Sequence, residues 1–316
     1  MLKSLFYLAL GLAFSGQAWA ACEAVDQEAL AWLDRMSHSL RETSYQGVFT
    51  YQHGTSIQSM RIKHSVRGNV ESEEVIRLSG TATRIVRTEH PLDCIHPGHR
   101  LVRVGNMYAR AEGDCGISAH YRLKLGGHLR VAGREAKLLH ILPRDMYRYG
   151  YQMALDIETG LLLKTQTLAQ DGKVLERFQF ADLQIGEVDS EGTQVDVLYE
   201  AAHPAPGATA TPASASPYDW YVRWVPDGFE LTAGVPVSAQ DKTYTDGLAL
   251  FSVFLELMPE LARPGEGRAR QGGTTAYTRG MAVGGKPVLI TILGEVPINT
   301  ARMVADSVQW SGAGAD

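Results

Sequence analysis

The stretch YGYQMALDIETGLLLKTQTLAQDGKVLERFQF, Tyr149 to Phe180, decides the fold class. It holds three runs rich in strand-forming residues: Tyr149 to Leu155, Leu161 to Leu168 and Val174 to Phe180. Glu158-Thr159-Gly160 separates the first run from the second. Asp171-Gly172 separates the second from the third and is a tight hairpin signal, because glycine enters the left-handed region at no steric cost. Turns this short leave no room for crossover helices, so successive strands run antiparallel.

The pattern continues towards the N-terminus. Gly47 to His53 and Ile57 to Lys63 flank Gly54-Thr55, a second hairpin signal. Glu73 to Leu78 and Thr83 to Val86 follow around Ser79-Gly80, then Leu101 to Val104, Tyr121 to Leu125, and Lys137 to Leu142 before Pro143. Ahead of these strands, Val25, Ala29, Leu33, Met36 and Leu40 recur at three- and four-residue spacing, which predicts one helix with a single apolar face. The expected class is α+β, mainly β: an antiparallel meander that curls towards a barrel.

Ala201 to Pro217, AAHPAPGATATPASASP, contains four prolines and no acid, lysine or arginine. Such a stretch cannot bury enough apolar surface to order itself and reads as a linker. The expected domains are therefore 21–198, a linker at 199–217, and a smaller α+β unit at 218–316. That unit shows strand patterns at Phe229 to Val235, Leu248 to Leu257, Thr274 to Thr278 and Val288 to Leu293, with Gly284-Gly285 marking a hairpin. Pro297 stands where a helix begins, its missing N–H costing nothing there. Ile298, Ala301, Val304, Ala305 and Val308 form the stripe of that helix.

The chain opens MLKSLFYLALGLAFSGQAWAAC. Lys3, the apolar run Leu5 to Phe14, and Ala18-Trp19-Ala20 are the three parts of an export signal, expected to be cleaved after Ala20. The run is shorter than the roughly 20 residues that span a bilayer. Trp19-Ala20-Ala21 before Cys22 is a poor lipoprotein signal, so a soluble exported protein is expected, with the state of Cys22 left open. In an oxidising compartment Cys94 and Cys115 read first as a disulfide, closing a loop worth about 3 kcal/mol in the chain-entropy model. Free thiols and a metal site with His96 and His99 are the alternatives, the latter short of the usual ligand spacing.

Formal net charge is −5. From Cys22 to Ser190 there are 21 basic and 21 acidic residues; from Glu191 onward there are 8 and 14. No basic excess points to nucleic acid. No nucleophile elbow, phosphate loop, zinc-protease helix or dinucleotide fingerprint occurs, so neither an enzyme nor a cofactor is expected.

Binding is the better class. Tyr108, Tyr121, Leu123, Leu138, Ile141, Tyr149 and Tyr151 could line an apolar groove for an acyl chain; the plainer reading is an ordinary core. Arg77, Arg84, Arg87, Arg100, Arg103 and Arg110 cluster on neighbouring strands and suit a phosphorylated head group; the plainer reading is a solvated face paired with Glu73, Glu74 and Glu89. In the second unit, Tyr244, Asp246, Leu248, Leu250, Phe251 and Phe254 belong to a turn and a strand apolar on both faces. That is a buried central strand or, functionally, an edge that receives a partner segment.

Trp224-Val-Pro-Asp-Gly-Phe229, Tyr244 to Val253, and Ile290 to Pro297 with the helix after it resemble the C-terminal domain of the RseB and MucB regulators. Tyr45 to Tyr51, Leu155 to Gly160 and Gln170 to Phe178 are similar to the same family, in the same order. The resemblance implies an unclosed, LolA-like β-barrel wrapped around helix, followed by a small α+β domain. It implies a periplasmic negative regulator of an envelope-stress sigma factor. Such a regulator binds the periplasmic domain of a membrane anti-sigma factor, shields it from site-1 proteolysis, and is released by lipopolysaccharide or lipoprotein acyl chains. A homodimer is left open. The alternatives are a periplasmic lipid or lipoprotein carrier of the LolA type, and a secreted hydrolase with an unrecognised site.

Overall fold

A computed structural model describes residues 26–68, 70–81, 83–91, 116–188, 199–202, 220–232, 241–259, 265–283 and 286–310. Helix α1, Gln27–Glu42, begins where Asp26 accepts a hydrogen bond from the Ala29 amide at 3.0 Å, satisfying one of the free N–H groups of the first turn. Its buried stripe is Ala29, Leu33 and Met36, three of the residues the periodicity selects.

Ten strands follow: β1 Tyr45–His53, β2 Ser56–Arg67, β3 Val70–Arg77, β4 Arg84–Pro91, β5 Tyr121–Val131, β6 Arg134–Pro143, β7 Gly150–Asp156, β8 Leu162–Leu168, β9 Val174–Ile185 and β10 Tyr199–Ala202. A short 3-10 turn, Gly116–Ala119, precedes β5. They form one sheet in the order β10-β4-β3-β2-β1-β9-β8-β7-β6-β5, unclosed among the described residues. Every pairing is antiparallel except β10 with β4. Helix α1 packs on one face of this sheet, against β5 to β8. Leu33 and Met36 pack with Tyr121, Leu123, Leu139, Ile141, Tyr151, Met153, Leu155 and Leu162 in one cluster.

The second unit comprises β11 Trp220–Val222, β12 Glu230–Leu231, β13 Asp241–Thr245, β14 Leu250–Leu257, β15 Glu266–Gln271, β16 Thr274–Val283, β17 Lys286–Gly294, helix α2 Ile298–Asp306 and β18 Val308–Trp310. Six of these strands form a sheet in the order β12-β13-β14-β17-β16-β15; β11 pairs with β18. Phe251, Val253 and Leu255 of β14 join Ile290 and Ile292 of β17 and Ala301, Val304 and Ala305 of α2 in a core closed by Trp220. The period-2 burial of β14 is what seats α2 on a single face of the sheet.

Among the described residues the meander and both helices lie where the sequence places them, except that Val308, read into the stripe of α2, opens β18 after the helix has ended at Asp306; Val25 and the Gly284-Gly285 turn lie outside the described residues. The differences are instructive. Tyr199–Ala202, assigned by composition to the linker, is a strand paired with β4, so the partner rather than the local composition orders it. Four further elements carried no readable signal: β11 and β18 are three residues each, β13 is five residues, DKTYT, and β15 is an exposed polar edge, EGRARQ, without alternation. The Leu101 to Val104 strand, the export signal, Cys22, Cys94, Cys115 and most of the linker lie outside the described residues. Among the described residues no helix is long and apolar enough to cross a membrane.

Candidate functional site

The second unit docks along one rim of the ten-stranded sheet, at the start of β5, the loop from β6 to β7, and the adjoining ends of β8, β9 and β1. At the β5 end of this rim stands Arg148, whose side chain is 0% exposed. It lies in DMYRYGY, between strands, where a cation flanked by aromatics is the one local sign of an unusual environment. Its Nη1 donates to Asp246 Oδ2 at 2.8 Å, and that carboxylate too is 0% exposed. Nη2 donates to the Asp227 carbonyl at 2.6 Å, and Nε to Asp145 Oδ2 at 3.0 Å. The guanidinium carbon lies 5.4 Å from the Tyr121 ring centre and 5.1 Å from that of Phe229, close enough for cation–π attraction. Burial works against the charge, but Asp246, Tyr121 and Asp145 outweigh it and raise the Arg148 pKa.

Asp246 is held from all sides. The Tyr121 hydroxyl donates to its Oδ2 at 2.8 Å. The amides of Leu248 and Ala249 donate to its Oδ1 at 3.0 and 2.8 Å. Burial and then the Asp246 charge push the Tyr121 phenol well above its ordinary range, so it remains a donor. A buried charge without a partner costs several kcal/mol, so this constellation tolerates only one relative placement of the two units. Leu248 reaches across and packs in the α1 cluster of the first unit. His120 packs onto Gly228, whose φ of +85° and lack of a Cβ are both required: a Cβ there would lie 2.2 Å from His120 Nε2. Burial, then Arg148, lowers the His120 pKa.

Further contacts line the rim. Thr300 Oγ1 of α2 donates to the Tyr147 carbonyl at 3.0 Å, and the Tyr147 ring meets Trp224 edge-on at 5.3 Å. The Tyr149 and Thr275 hydroxyls lie 3.5 Å apart. At the far end, Glu176 of β9 accepts from Tyr51 at 2.8 Å, from Thr167 at 3.2 Å, and from the Gly273 amide of the second unit at 3.1 Å.

The sequence-selected residues distribute as follows. Of the groove set, Tyr121, Leu123, Ile141 and Tyr151 do come together, packed against α1. Leu138 points away from this cluster and contacts Gly126; Tyr149 faces Thr275 at the junction. Among the head-group arginines, Arg84 pairs with Glu74, Arg77 is partly buried on β3, and Arg87 sits opposite Glu73 in the β3–β4 register. Tyr108, Arg100, Arg103 and Arg110 lie outside the described residues. Of the partner set, β14 is interior to its sheet, between β13 and β17, so the edge-strand reading is not met. Phe251 is core, Tyr244 stacks on it at 5.4 Å, and Leu250 and Phe254 are half-buried. Asp246 and Leu248 do mark an interface, but it is the one between the chain's own units. Arg148, His120 and Glu176 were not selected from sequence, because single polar residues in strand ends carry no periodic signal.

The geometry defines a two-unit, mainly β protein whose halves meet across a buried ion pair; among the described residues no cluster of three or more His, Cys, Asp or Glu could hold a metal. The model of the MucB/RseB N-terminal domain matches residues 28–203, and that of the MucB/RseB C-terminal domain matches residues 214–309. The chain is 33% identical to the sigma factor AlgU regulatory protein MucB of Pseudomonas aeruginosa over 97% of both chains. It superposes on the complex structure of Pseudomonas aeruginosa MucA/MucB with a TM-score of 0.69 at 32% identity, covering 90% of this chain and 100% of that one. A crystal structure of MucB gives 0.61 at 30% identity, covering 90% and 98%. The chain belongs to the MucB/RseB family of sigma-factor regulatory proteins.

Proposed function

We propose that this chain is a periplasmic negative regulator of an envelope-stress sigma factor. It binds the periplasmic domain of a membrane-spanning anti-sigma factor and shields that domain from the site-1 protease. Lipopolysaccharide or lipoprotein acyl chains release it. The observation that carries this reading is the family match along both units, together with a similar MucB solved in complex with MucA. The mode of action is occlusion, with no bond made or broken.

The physics of release is bounded. Driving a two-state protein from 1:99 to 99:1 takes about 5.5 kcal/mol of differential affinity. At about 0.8 kcal/mol per buried methylene, roughly seven methylenes of one acyl chain supply it. Because α1 packs on Tyr121, Leu123, Ile141 and Tyr151, such a chain enters beside them only as the helix shifts.

The test is proteolysis in vitro. Saturating amounts of the mature chain are expected to slow site-1 cleavage of the anti-sigma periplasmic domain, and added lipopolysaccharide to restore it. Cleavage at the unprotected rate would refute the reading. Transfer of labelled lipoprotein to an acceptor, without effect on cleavage, would favour the carrier.

A further inference from the structure

The rim is unequal at its two ends. At the β5 end every charged atom of the Arg148–Asp246 pair is buried. Separation would break a charge-assisted bond there along with the Arg148 bond to the Asp227 carbonyl and the Tyr121 bond to Asp246, leaving Arg148 only Asp145 and Asp246 only the Leu248 and Ala249 amides of its own unit. At the β9 end, Glu176 and His53 are half-buried and Gln271, the partner of His53, faces solvent. Of the three donors to Glu176, two belong to its own unit, Tyr51 and Thr167. Only the Gly273 amide comes from across the junction. On separation Glu176 keeps those two bonds and water replaces the third, an exchange that costs no more than the net worth of one hydrogen bond. Between the ends, Tyr149 and Thr275 meet at 3.5 Å, the limit of a hydrogen bond. From β5 to β9 the sheet crosses four strand spacings, roughly 19 Å, so small rotations at one end become large openings at the other.

We propose that the C-terminal unit swings about Arg148 as a pivot, and that Glu176, gripping the Gly272-Gly273 turn between β15 and β16, is the latch that holds the far end shut. The turn is suited to this: Gly272 has φ of +60°, and a Cβ there would meet the Glu176 carboxylate at 2.8 Å, so the carboxylate lies directly against bare backbone. This goes beyond the regulatory reading and stands without it, since it concerns the chain free of partners.

Residue-resolved amide hydrogen exchange on the full mature chain tests it. The Gly273 amide is expected to exchange at least about tenfold faster than those of Leu248 and Ala249, which report on the pivot through Asp246. Glu176→Ala should speed Gly273 by about a further tenfold, the worth of one hydrogen bond. It should also increase the radius of gyration in solution scattering and leave Leu248 and Ala249 unchanged. Gln271→Ala, an exposed change on the other unit, should act in the same direction by about twofold and guards against a folding defect in the first variant. Equal exchange at both ends of the unmodified chain would overturn the pivot. An unchanged Gly273 rate in both variants would overturn the latch.

Discussion

The seam between α1 and the ten-stranded sheet is apolar, whereas the seam between that sheet's rim and the second unit is polar and carries buried charge. The two are only one strand-end apart: Tyr121 offers its ring to the first and its hydroxyl to the second. Apolar packing is non-directional and rewards area, so the α1 seam supplies stability without specifying an angle. Hydrogen-bonded charge is directional and punishes misplacement, so the rim supplies orientation and little else. Stability and orientation are thus supplied in different places.

Breaking the charged seam should have the largest effect. Arg148→Met leaves Asp246 buried and unpaired, and urea denaturation should show a loss of about 3–5 kcal/mol. Adding Asp246→Asn should recover part of it, since the amide removes the uncompensated buried charge while its oxygen still accepts from Leu248 and Ala249. A double variant as unstable as the single would contradict the assignment of the seam. Next comes the apolar seam: Leu33→Ala should cost about 3 kcal/mol by the same assay, through a cavity under α1. No second-site charge change should rescue it, which separates the two seams experimentally.

Tyr121→Phe sharpens the comparison, because it keeps the ring and removes only the hydroxyl. A hydrogen bond to a charged group is worth about 1.5–3 kcal/mol, so a loss of about 2 kcal/mol assigns the residue's weight to the rim. A loss near zero would assign it to the core. The smallest effect concerns His120. Its pKa is lowered by burial and then by Arg148, so the docked state prefers the neutral ring. That contribution is complete above the ordinary histidine value of about 6.5 and is lost as pH falls from there through the lowered pKa, because the unfolded chain takes up the proton first. Urea midpoints should therefore fall between pH 7.5 and 5.5, and His120→Gln should reduce the slope. A midpoint that rises on acidification would have the sign wrong.

Much of the fold was legible because its signals are local. Asp171-Gly172 and Gly54-Thr55 specify hairpins from two residues each, and Leu33 and Met36 mark a helix face by spacing alone. The site was far less legible. Asp246 was noticed as a turn residue, yet its partner Arg148 lies 98 positions away, and no spacing rule links them. The partner set left a buried central strand and a receiving edge both open, and only the pairing of β14 with β13 and β17 makes it the central strand.

The sequence by itself determined the order of strands and turns, the two helical stripes, and membership in a family, because backbone preferences and apolar periodicity act over a few residues. Only the tertiary structure decided that Arg148, Asp246 and Tyr121 share one dry point, and that Glu176 meets a glycine turn of the other unit. Charges separated by a hundred positions find one another only once the sheet has curled and the second unit has docked, and the cost of burying them is set by that enclosure and not by their neighbours in the chain.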